Sequence, residues 1–291
     1  MFNELDQKFP IKDLLQADFP ETLRNIPNPP ESLRIRGTMP PVGTKYLCVI
    51  GARKSTEYGK QACRELISGL KGYPICIVSG LALGIDSMAH ELAIEYGLCT
   101  ISFPGSGLNW NILYPPSKIP VAKKILESGG AILSRFADNM SATKWTFPKR
   151  NALMAGISHT TLIIEARVKS GTLITADYAL SFGRDLMVVP GSIFSNTSYA
   201  SNLLFSRGAA PAASSKEILE MLGFDTREKV PVDSASLSPE ENSIYERLAS
   251  PIKRDDLIRE MELPAGYLNS ILVDMEMRGI ISEREGNLTQ A

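Results

Sequence analysis

One stretch, residues 46–70, constrains the fold of this chain more than any other. Residues 46–50 are a short apolar run that leads directly into Gly51, which is typical of a strand buried on both faces. Beyond the glycine, Ser55 and Thr56 are good N-cap residues, and apolar residues then recur at helical spacing. A strand, a glycine turn and a helix in this order predict a βα unit.

The turn inside this unit is suited to an anion. A helix that starts just beyond a strand leaves backbone N–H groups without partners, and the helix dipole adds a positive potential there. Arg53 and Lys54 place two full positive charges at the same turn. The alternative is an ordinary βα turn with two solvated basic residues, and this stretch alone does not decide between them.

Short apolar runs and helical patterns alternate along the chain after this unit. Strands are predicted at 46–50, 75–78, 98–102, 131–133, 161–164 and 186–189, and helices at 56–70, 85–96, 117–128, 149–157, 172–182 and 199–206. Alternation with short connections predicts right-handed βαβ units and so a Rossmann-like α/β fold with a doubly wound, mostly parallel sheet. Several strands end in Gly, Ser or Pro before a helix, and such turns share the carboxyl edge of the sheet, where ligands bind.

The sequence divides into four segments. Residues 1–45 are rich in proline and predict an extended lead-in packed on the core, with at most one short helix near 12–16. Residues 46–222 form the Rossmann-like domain, and residues 223–236 lose periodicity and predict a linker. Residues 237–291 carry three helical runs and a short hairpin, which are the parts of a small winged-helix domain.

Charge excludes a globally basic nucleic-acid binder, because the formal net charge is −1. From Ser236 onward eleven acidic residues face six basic ones, so an anionic polymer would have to bind a local patch on the larger domain. The predicted third helix of the tail contains Asp274 and Glu276 against a lone Arg278, which favours a protein contact over DNA binding.

Other classes of protein are disfavoured as well. No apolar run approaches the length of a membrane span, and the first residues lack the apolar core of a signal peptide, so we expect a cytoplasmic protein. The four cysteines include no CxxC pair. The two histidines, His90 and His159, are far apart in sequence, so we do not expect a metal site. We expect no cofactor either.

Six motifs, taken together and in their order and spacing, resemble the DNA-processing protein family DprA, also called Smf. They are GARKSTEYG (51–59), SGLALGIDSMAH (79–90), FPGSGLNWNILYPPS (103–117), WTFPKRNALMAG (145–156), IIEARVKSGTLITADYA (163–179) and VVPGS (188–192). The resemblance implies a Rossmann-like core that binds and protects single-stranded DNA and loads the recombinase RecA onto it during natural transformation. It also implies a homodimer.

The chain departs from the family pattern at several positions. The family commonly has Ser, Glu and Arg where this sequence has Ala52, Arg135 and Ala152, and a Gly-Thr where it has Ala200-Ser201. The absence of a guanidinium at position 152 weakens one expected contact to the DNA backbone. Arg135 adds a charge whose place relative to the binding groove is left open.

Single-stranded DNA requires cations along its backbone and an aromatic face on which a base can stack. Candidate cations are Arg53, Lys144, Lys149, Arg150 and Lys169. Phe147 is the candidate stacking platform, with Trp145 as a secondary candidate, and the alternative is that Phe147 is a core aromatic beside Pro148.

The remaining candidates are polar or glycine residues. Asn151 could bond a phosphate, a base edge or only the neighbouring turn. Ser170, Gly171 and Thr172 offer N–H and hydroxyl donors at a helix start, which suits a phosphate and is equally compatible with N-capping. Gly51 is a further candidate for DNA binding, because its turn leaves backbone N–H groups free beyond the end of the strand.

An enzyme is the alternative function. Asp86 and His90 stand four residues apart on one predicted helix and could form an acid/base pair, although such pairs more often stabilise the helix. Glu165, at the end of a predicted strand, is the other enzyme-like residue. The related phosphoribohydrolases of the lysine-decarboxylase-like group place a glutamate near a Gly-Thr helix start, which would make this a nucleotide-processing enzyme, but the spacing differs here. Their Gly-Gly-x-Gly-Thr run is absent, so DNA binding without catalysis is the preferred interpretation.

Overall fold

The chain forms two compact units, Met1–Asp225 and Thr226–Ala291. A computed structural model describes residues 2–168, 170–226, 237–248, 252–261, 263–278, 280–284 and 286–290. None of the helices in these ranges is both long enough and apolar enough to span a lipid bilayer.

The larger unit alternates strands and helices. Its strands are β1 (Lys12–Leu15), β2 (Ser32–Gly37), β3 (Lys45–Ile50), β4 (Ile75–Ser79), β5 (Cys99–Ser102), β6 (Ala131–Ser134), β7 (Thr160–Ile163), β8 (Asp185–Val188) and β9 (Ala210–Pro211). Its helices are α1 (Phe2–Lys8), α2 (Glu21–Arg24), α3 (Glu57–Ser68), α4 (Ile85–Glu95), α5 (Ile119–Glu127), α6 (Thr146–Ile157), α7 (Gly171–Ser181), α8 (Tyr199–Asn202) and α9 (Ser215–Met221).

The strands form one nine-stranded sheet with the order β1-β2-β6-β5-β4-β3-β7-β8-β9. The seven strands that follow one another in the sheet as β6-β5-β4-β3-β7-β8-β9 all pair in parallel. Strand β2 pairs antiparallel with both β6 and β1. The sheet grows from β3 through β4 and β5 to β6, and the chain then returns to place β7 on the other side of β3. The topological switch point, where α/β proteins bind ligands, therefore lies between β3 and β7.

Both faces of the sheet are covered, as the continuous apolar runs predict. Along β3, Cys48 and Ile50 point into the core cluster that includes α6 and α7, and Leu47 and Val49 point into the cluster that includes α3, α4 and α9. All four side chains are buried. The predicted doubly wound α/β core is confirmed.

The amino-terminal segment differs from the expected extended lead-in. A short helix was expected near residues 12–16, but residues 12–15 form strand β1. Strand β2 lies in the sheet between β1 and β6. Buried Leu33 and Ile35 alternate with arginines along β2, which is the period-two pattern of a strand. The closely spaced prolines around β2 obscured this pattern.

Most predicted element boundaries agree with the structure, with two differences near the functional motifs. Helix α6 begins at Thr146, three residues earlier than expected, and the predicted helix 199–206 is divided between α8 and a 3-10 helix, Leu203–Arg207. Helix α9 was not predicted. Residues 227–236, most of the predicted linker, lie outside the described residues.

The smaller unit contains the helices and hairpin expected of a winged-helix domain. Its elements are α10 (Pro239–Arg247), β10 (Ile252–Lys253), α11 (Arg254–Glu260), α12 (Ala265–Met277), β11 (Ile281–Arg284) and β12 (Asn287–Gln290). The antiparallel strand order is β10-β12-β11, and buried Leu257, Leu268 and Leu272 lie in its core. The lone basic residue at the end of α12, Arg278, pairs with Asp274 and Glu241.

Candidate nucleic-acid interface

A cavity of about 430 Å³ lies at the switch point between the carboxyl ends of β3 and β7. Its walls comprise Ile50, Gly51, Ala52, Arg53, Lys54, Ala82, Asp86, Phe147, Arg150, Asn151, Met154, Arg167, Ser170, Gly171, Thr172 and Thr175. Parallel strands bring their carboxyl ends to one edge, so residues more than a hundred positions apart meet here.

The turn after β3 is fixed by close packing against α4. A Cβ at Gly51 would lie 2.6 Å from Cγ1 of Ile85, the first residue of α4. Gly84 adopts φ of 81° with its Cα against the carbonyl groups of Ala52 and Arg53, a conformation and an approach that only glycine allows without strain. The backbone leading to Arg53 is therefore held in place while the Arg53 side chain remains exposed.

The start of α3 is closed by a carboxylate, contrary to the expectation of an open anion site there. Thr56 caps this helix by accepting a bond from the backbone N–H of Gly59. Glu165, which is only 1% exposed, accepts bonds from the backbone N–H of Thr56 (3.0 Å) and the hydroxyl of Thr56 (2.5 Å). The protein thus supplies its own anion to this helix terminus.

The start of α7 is open. The N-cap residue Ser170 makes no side-chain capping bond, and its Oγ is buried without a hydrogen-bond partner among the described residues. A Cβ at Gly171 would meet no atom within 4 Å, so there is free space in front of this helix. An 11-residue helix with unfilled donors and an adjacent free space is suited to a phosphate group.

Two of the predicted polar residues hold this helix start in position. The side-chain amide of Asn151 donates to the carbonyl of Gly171 at 3.2 Å, and the hydroxyl of Thr172 lies 3.4 Å from the carbonyl of Gly51. Both side chains are 8% exposed. Asn151 was expected to bond a phosphate, a base edge or the neighbouring turn, and in the structure it bonds the turn.

Phe147 stands half-buried in the wall of the cavity. Its ring packs on Gly105, where a Cβ would come within 2.5 Å of it, and meets Tyr114 edge to face at 5.9 Å between ring centroids. The guanidinium carbon of Arg53 lies 5.7 Å from the ring centroid. An aromatic ring beside an exposed arginine at the edge of a cavity can stack on a planar base.

Arg150 differs most from its expected role as a free cation. The side chain is 5% exposed, and its Nη1 donates to the carbonyl groups of Gly80 (2.5 Å) and Phe103 (2.7 Å), which follow β4 and β5. Burial raises the pKa of the neighbouring Asp86, and the positive charge of Arg150 opposes that rise. Arg150 therefore ties two strand ends together and balances a buried carboxyl group.

The other predicted cations are placed differently. Lys144 and Lys149 are exposed but do not line the cavity, and the ammonium of Lys149 lies 4.7 Å from the ring centroid of Trp145. Lys169 lies outside the described residues. Arg167, which was not predicted, is exposed in the wall of the cavity close to the start of α7. Its position just after the end of β7 was the available signal.

The cavity walls are positively charged. Arg53, Lys54 and Arg167 are exposed there, whereas Asp86 is the only carboxylate among the described residues that line the cavity and has Arg150 beside it. In the part of the chain that the structure describes, the three exposed basic side chains have no ion pair with a carboxylate. This arrangement attracts an anion.

The residues considered for catalysis do not form an acid/base pair. His90 is completely buried, and its Nδ1 lies 2.7 Å from the hydroxyl of Thr100. Burial lowers the pKa of His90 to about 3, so its ring is neutral at ordinary pH. Glu165 is engaged at the start of α3, as described above.

Comparison with known proteins places these motifs in a family. The family model for DNA recombination-mediator protein A matches residues 12–223, and the model for the DprA winged helix domain matches residues 227–287. Protein Smf of Escherichia coli (strain K12) is 34% identical over 218 residues, which are 74% of this chain and 58% of that protein. The DNA processing protein DprA of Streptococcus pneumoniae is 32% identical over 218 residues, which are 75% of this chain and 76% of that protein.

Two solved structures are similar to the larger part of the chain. The X-ray structure of DprA from Streptococcus pneumoniae has a TM-score of 0.67 and 29% identity over 76% of this chain and 77% of that one. DNA processing protein A from Helicobacter pylori, whose structure concerns a single-stranded DNA binding mode, has a TM-score of 0.63 and 26% identity over 74% of this chain and 96% of that one. This chain therefore belongs to the DNA recombination-mediator protein A family, the DprA or Smf family that its motifs indicate.

Proposed function

We propose that this protein is a recombination mediator that binds single-stranded DNA in the cavity at the switch point. The observation that carries the proposal is the combination, in one cavity, of an aromatic ring, an open helix start and exposed cations that have no carboxylate partner among the described residues. Single-stranded nucleic acids are bound by this combination of basic groove and stacking platform. The Helicobacter pylori relative with a single-stranded DNA binding mode supports the same substrate.

In this proposal each part of the cavity has a role. One phosphate lies at the start of α7, where the backbone N–H groups of the first turn donate to it. Arg53 and Arg167 neutralise this phosphate and the next one along the strand. An unpaired base stacks on Phe147. A duplex base cannot reach the ring without being unpaired, so the site favours single strands.

The protein then protects the bound strand and transfers it to the recombinase RecA, as a cytoplasmic homodimer with no catalytic turnover of its own. The family to which the chain belongs supports this role. We assign the winged-helix unit to a protein contact, because α12 exposes Asp274 and Glu276. Loading can be measured as recombinase ATP hydrolysis on single-stranded DNA that is precoated with single-strand-binding protein.

The substrate preference is tested directly by fluorescence anisotropy. A labelled oligothymidylate should bind more tightly than a duplex of the same length. Its affinity should fall as salt rises, because binding releases counterions from the DNA and this release is less favourable at high salt. Equal affinity for both forms, or an affinity that does not respond to salt, would contradict the proposed site.

Replacement of Phe147 separates stacking from packing. Phe147→Ala should weaken single-strand binding by about 5- to 150-fold, which corresponds to roughly 1–3 kcal/mol for one stacked base. Phe147→Leu keeps apolar volume against Gly105 but removes the ring, so it should lose nearly as much affinity. Phe147→Tyr keeps the ring and should bind almost normally. If the leucine variant binds like the wild type, Phe147 only packs.

A further inference from the structure

A second cavity, of about 580 Å³, lies at the opposite, amino edge of the sheet. It is lined by residues 18–22, 24 and 25 of the amino-terminal segment, by the loop 39–44 and by the first two residues of β3. His159 and Arg184, which precede β7 and β8, complete the lining. This volume is within the range of small-molecule sites. Nothing in the proposed DNA-binding role uses this cavity.

Three basic groups meet in the cavity because they occupy equivalent places on neighbouring parallel strands. Lys45 begins β3, and His159 and Arg184 each stand one residue before β7 and β8. All three residues line the cavity. Burial lowers the pKa of His159, and the positive charges of Lys45 and Arg184 lower it further. Among the described residues no carboxylate forms an ion pair with Lys45 or Arg184.

The Arg184 guanidinium is held in a fixed position with part of its donor capacity unused. Its Nη2 donates to the carbonyl groups of Thr22 (2.5 Å) and Gly156 (3.4 Å). Its Nε is buried and has no partner among the described residues. Carbonyl groups satisfy hydrogen bonds but do not neutralise the charge, so this cation lacks the anion that a partly buried arginine ordinarily has.

The carboxylates near the cavity do not supply that anion. Asp18 and Glu21 line it, but both are exposed, and Arg24 lies in the same wall. Asp185, beside Arg184, is exposed as well.

The ring of His159 is stacked on Tyr46, with 6.0 Å between centroids and 5° between planes, and its Nδ1 accepts the backbone N–H of Tyr46 at 3.0 Å. Neutral His159 therefore carries its proton on Nε2, and it has a rigid orientation.

We propose that the cavity formed by Lys45, His159 and Arg184 binds a phosphate-bearing ligand of nucleotide size. A phosphate would neutralise Lys45 and Arg184 together and accept a bond from His159. The same chemistry is present in a free nucleotide and in the 5′-phosphate end of a polynucleotide. The site stands independently of DNA binding at the carboxyl edge.

The two histidines of the chain make the test specific. In the full-length protein, the imidazole Cε1–H signals of His90 and His159 can be titrated with pH by NMR, with and without inorganic phosphate, AMP or a 5′-phosphorylated oligonucleotide. A bound phosphate adds an anion to the charged and titratable groups near His159. These groups are Asp18, Glu21, Arg24, Lys45, Tyr46, Arg184 and Asp185. The phosphate should raise the pKa of His159 by about 1 while the His90 signal stays unchanged.

Variants decide whether this site is responsible. Lys45→Gln and Arg184→Gln should weaken the saturable response to phosphate by about tenfold, whereas Arg53→Glu, at the other edge, should leave it intact. Two positions are tested because Arg184 also bonds the backbone and its replacement could disturb the fold.

The chemical identity of the ligand follows from the three probes. Tighter binding of AMP indicates a free nucleotide, and tighter binding of the phosphorylated oligonucleotide, compared with its unphosphorylated form, indicates a strand end. If sodium chloride at equal ionic strength moves the His159 signal as far as all three probes do, the proposal is wrong. Loss of single-strand binding in Arg53→Glu with an intact phosphate response would show that the two sites are separate.

Discussion

Arg53→Glu should weaken binding of a single-stranded oligonucleotide by about 100-fold. The substitution removes a charge-assisted hydrogen bond, worth roughly 1.5–3 kcal/mol, and places a carboxylate where a phosphate would lie. Arg53 is exposed, so the free energy of unfolding should change by less than about 0.5 kcal/mol. Fluorescence anisotropy with a labelled oligothymidylate measures the affinity, and chemical denaturation measures the stability.

A matched control separates the site from the overall charge. Lys71→Glu changes the net charge equally but lies at an exposed position before β4, at the opposite edge of the sheet, and should bind almost normally. Arg53→Gln should lose affinity with every sequence and reduce the salt slope by about 1, as expected for one phosphate contact. If Arg53→Glu and Lys71→Glu lose the same small factor, the switch-point cavity is not the binding site.

Arg150→Met should destabilise the larger unit by about 3–5 kcal/mol, the usual effect of removing one partner from a buried charged pair. The substitution leaves the carbonyl groups of Gly80 and Phe103 without their donor. It also removes the positive charge that opposes the rise in the pKa of buried Asp86. Tryptophan fluorescence measures the effect in this unit specifically, because both tryptophans of the chain, Trp110 and Trp145, lie within it.

The neighbouring lysine provides the control for this prediction. Lys149→Met, one residue away and exposed, should change the free energy of unfolding by less than about 0.5 kcal/mol. The loss in Arg150→Met should also shrink as pH falls from 7 toward 4. Burial raises the pKa of Asp86 in the folded state, so protonation of Asp86 stabilises the fold. This stabilisation is complete below the pKa of the unfolded state and is lost as pH rises through the pKa of the folded state. A pH-independent loss would mean that Asp86 is not the group left uncompensated.

Local sequence patterns were sufficient to predict the α/β core. The apolar run 46–50, the glycine after it and the N-cap Thr56 each act within a few residues, and the structure contains the strand, turn and helix they predict. Parallel topology then follows from alternation, which brings Gly51 and Ser170 to one edge. Arg53 follows β3 directly, whereas Phe147 was proposed from its basic sequence neighbours, and the two residues line one cavity.

Only the tertiary structure decided which polar groups remain available to a ligand. Glu165 accepts hydrogen bonds at the start of α3, whereas Ser170 makes no capping bond at the start of α7. Arg150 donates to the carbonyl groups of two residues that follow β4 and β5. In each case the partner is distant in sequence or absent among the described residues. Exposure and pairing depend on what packs around a side chain, and sequence spacing carries no record of such contacts, whereas helix, strand and turn preferences are local properties of the chain.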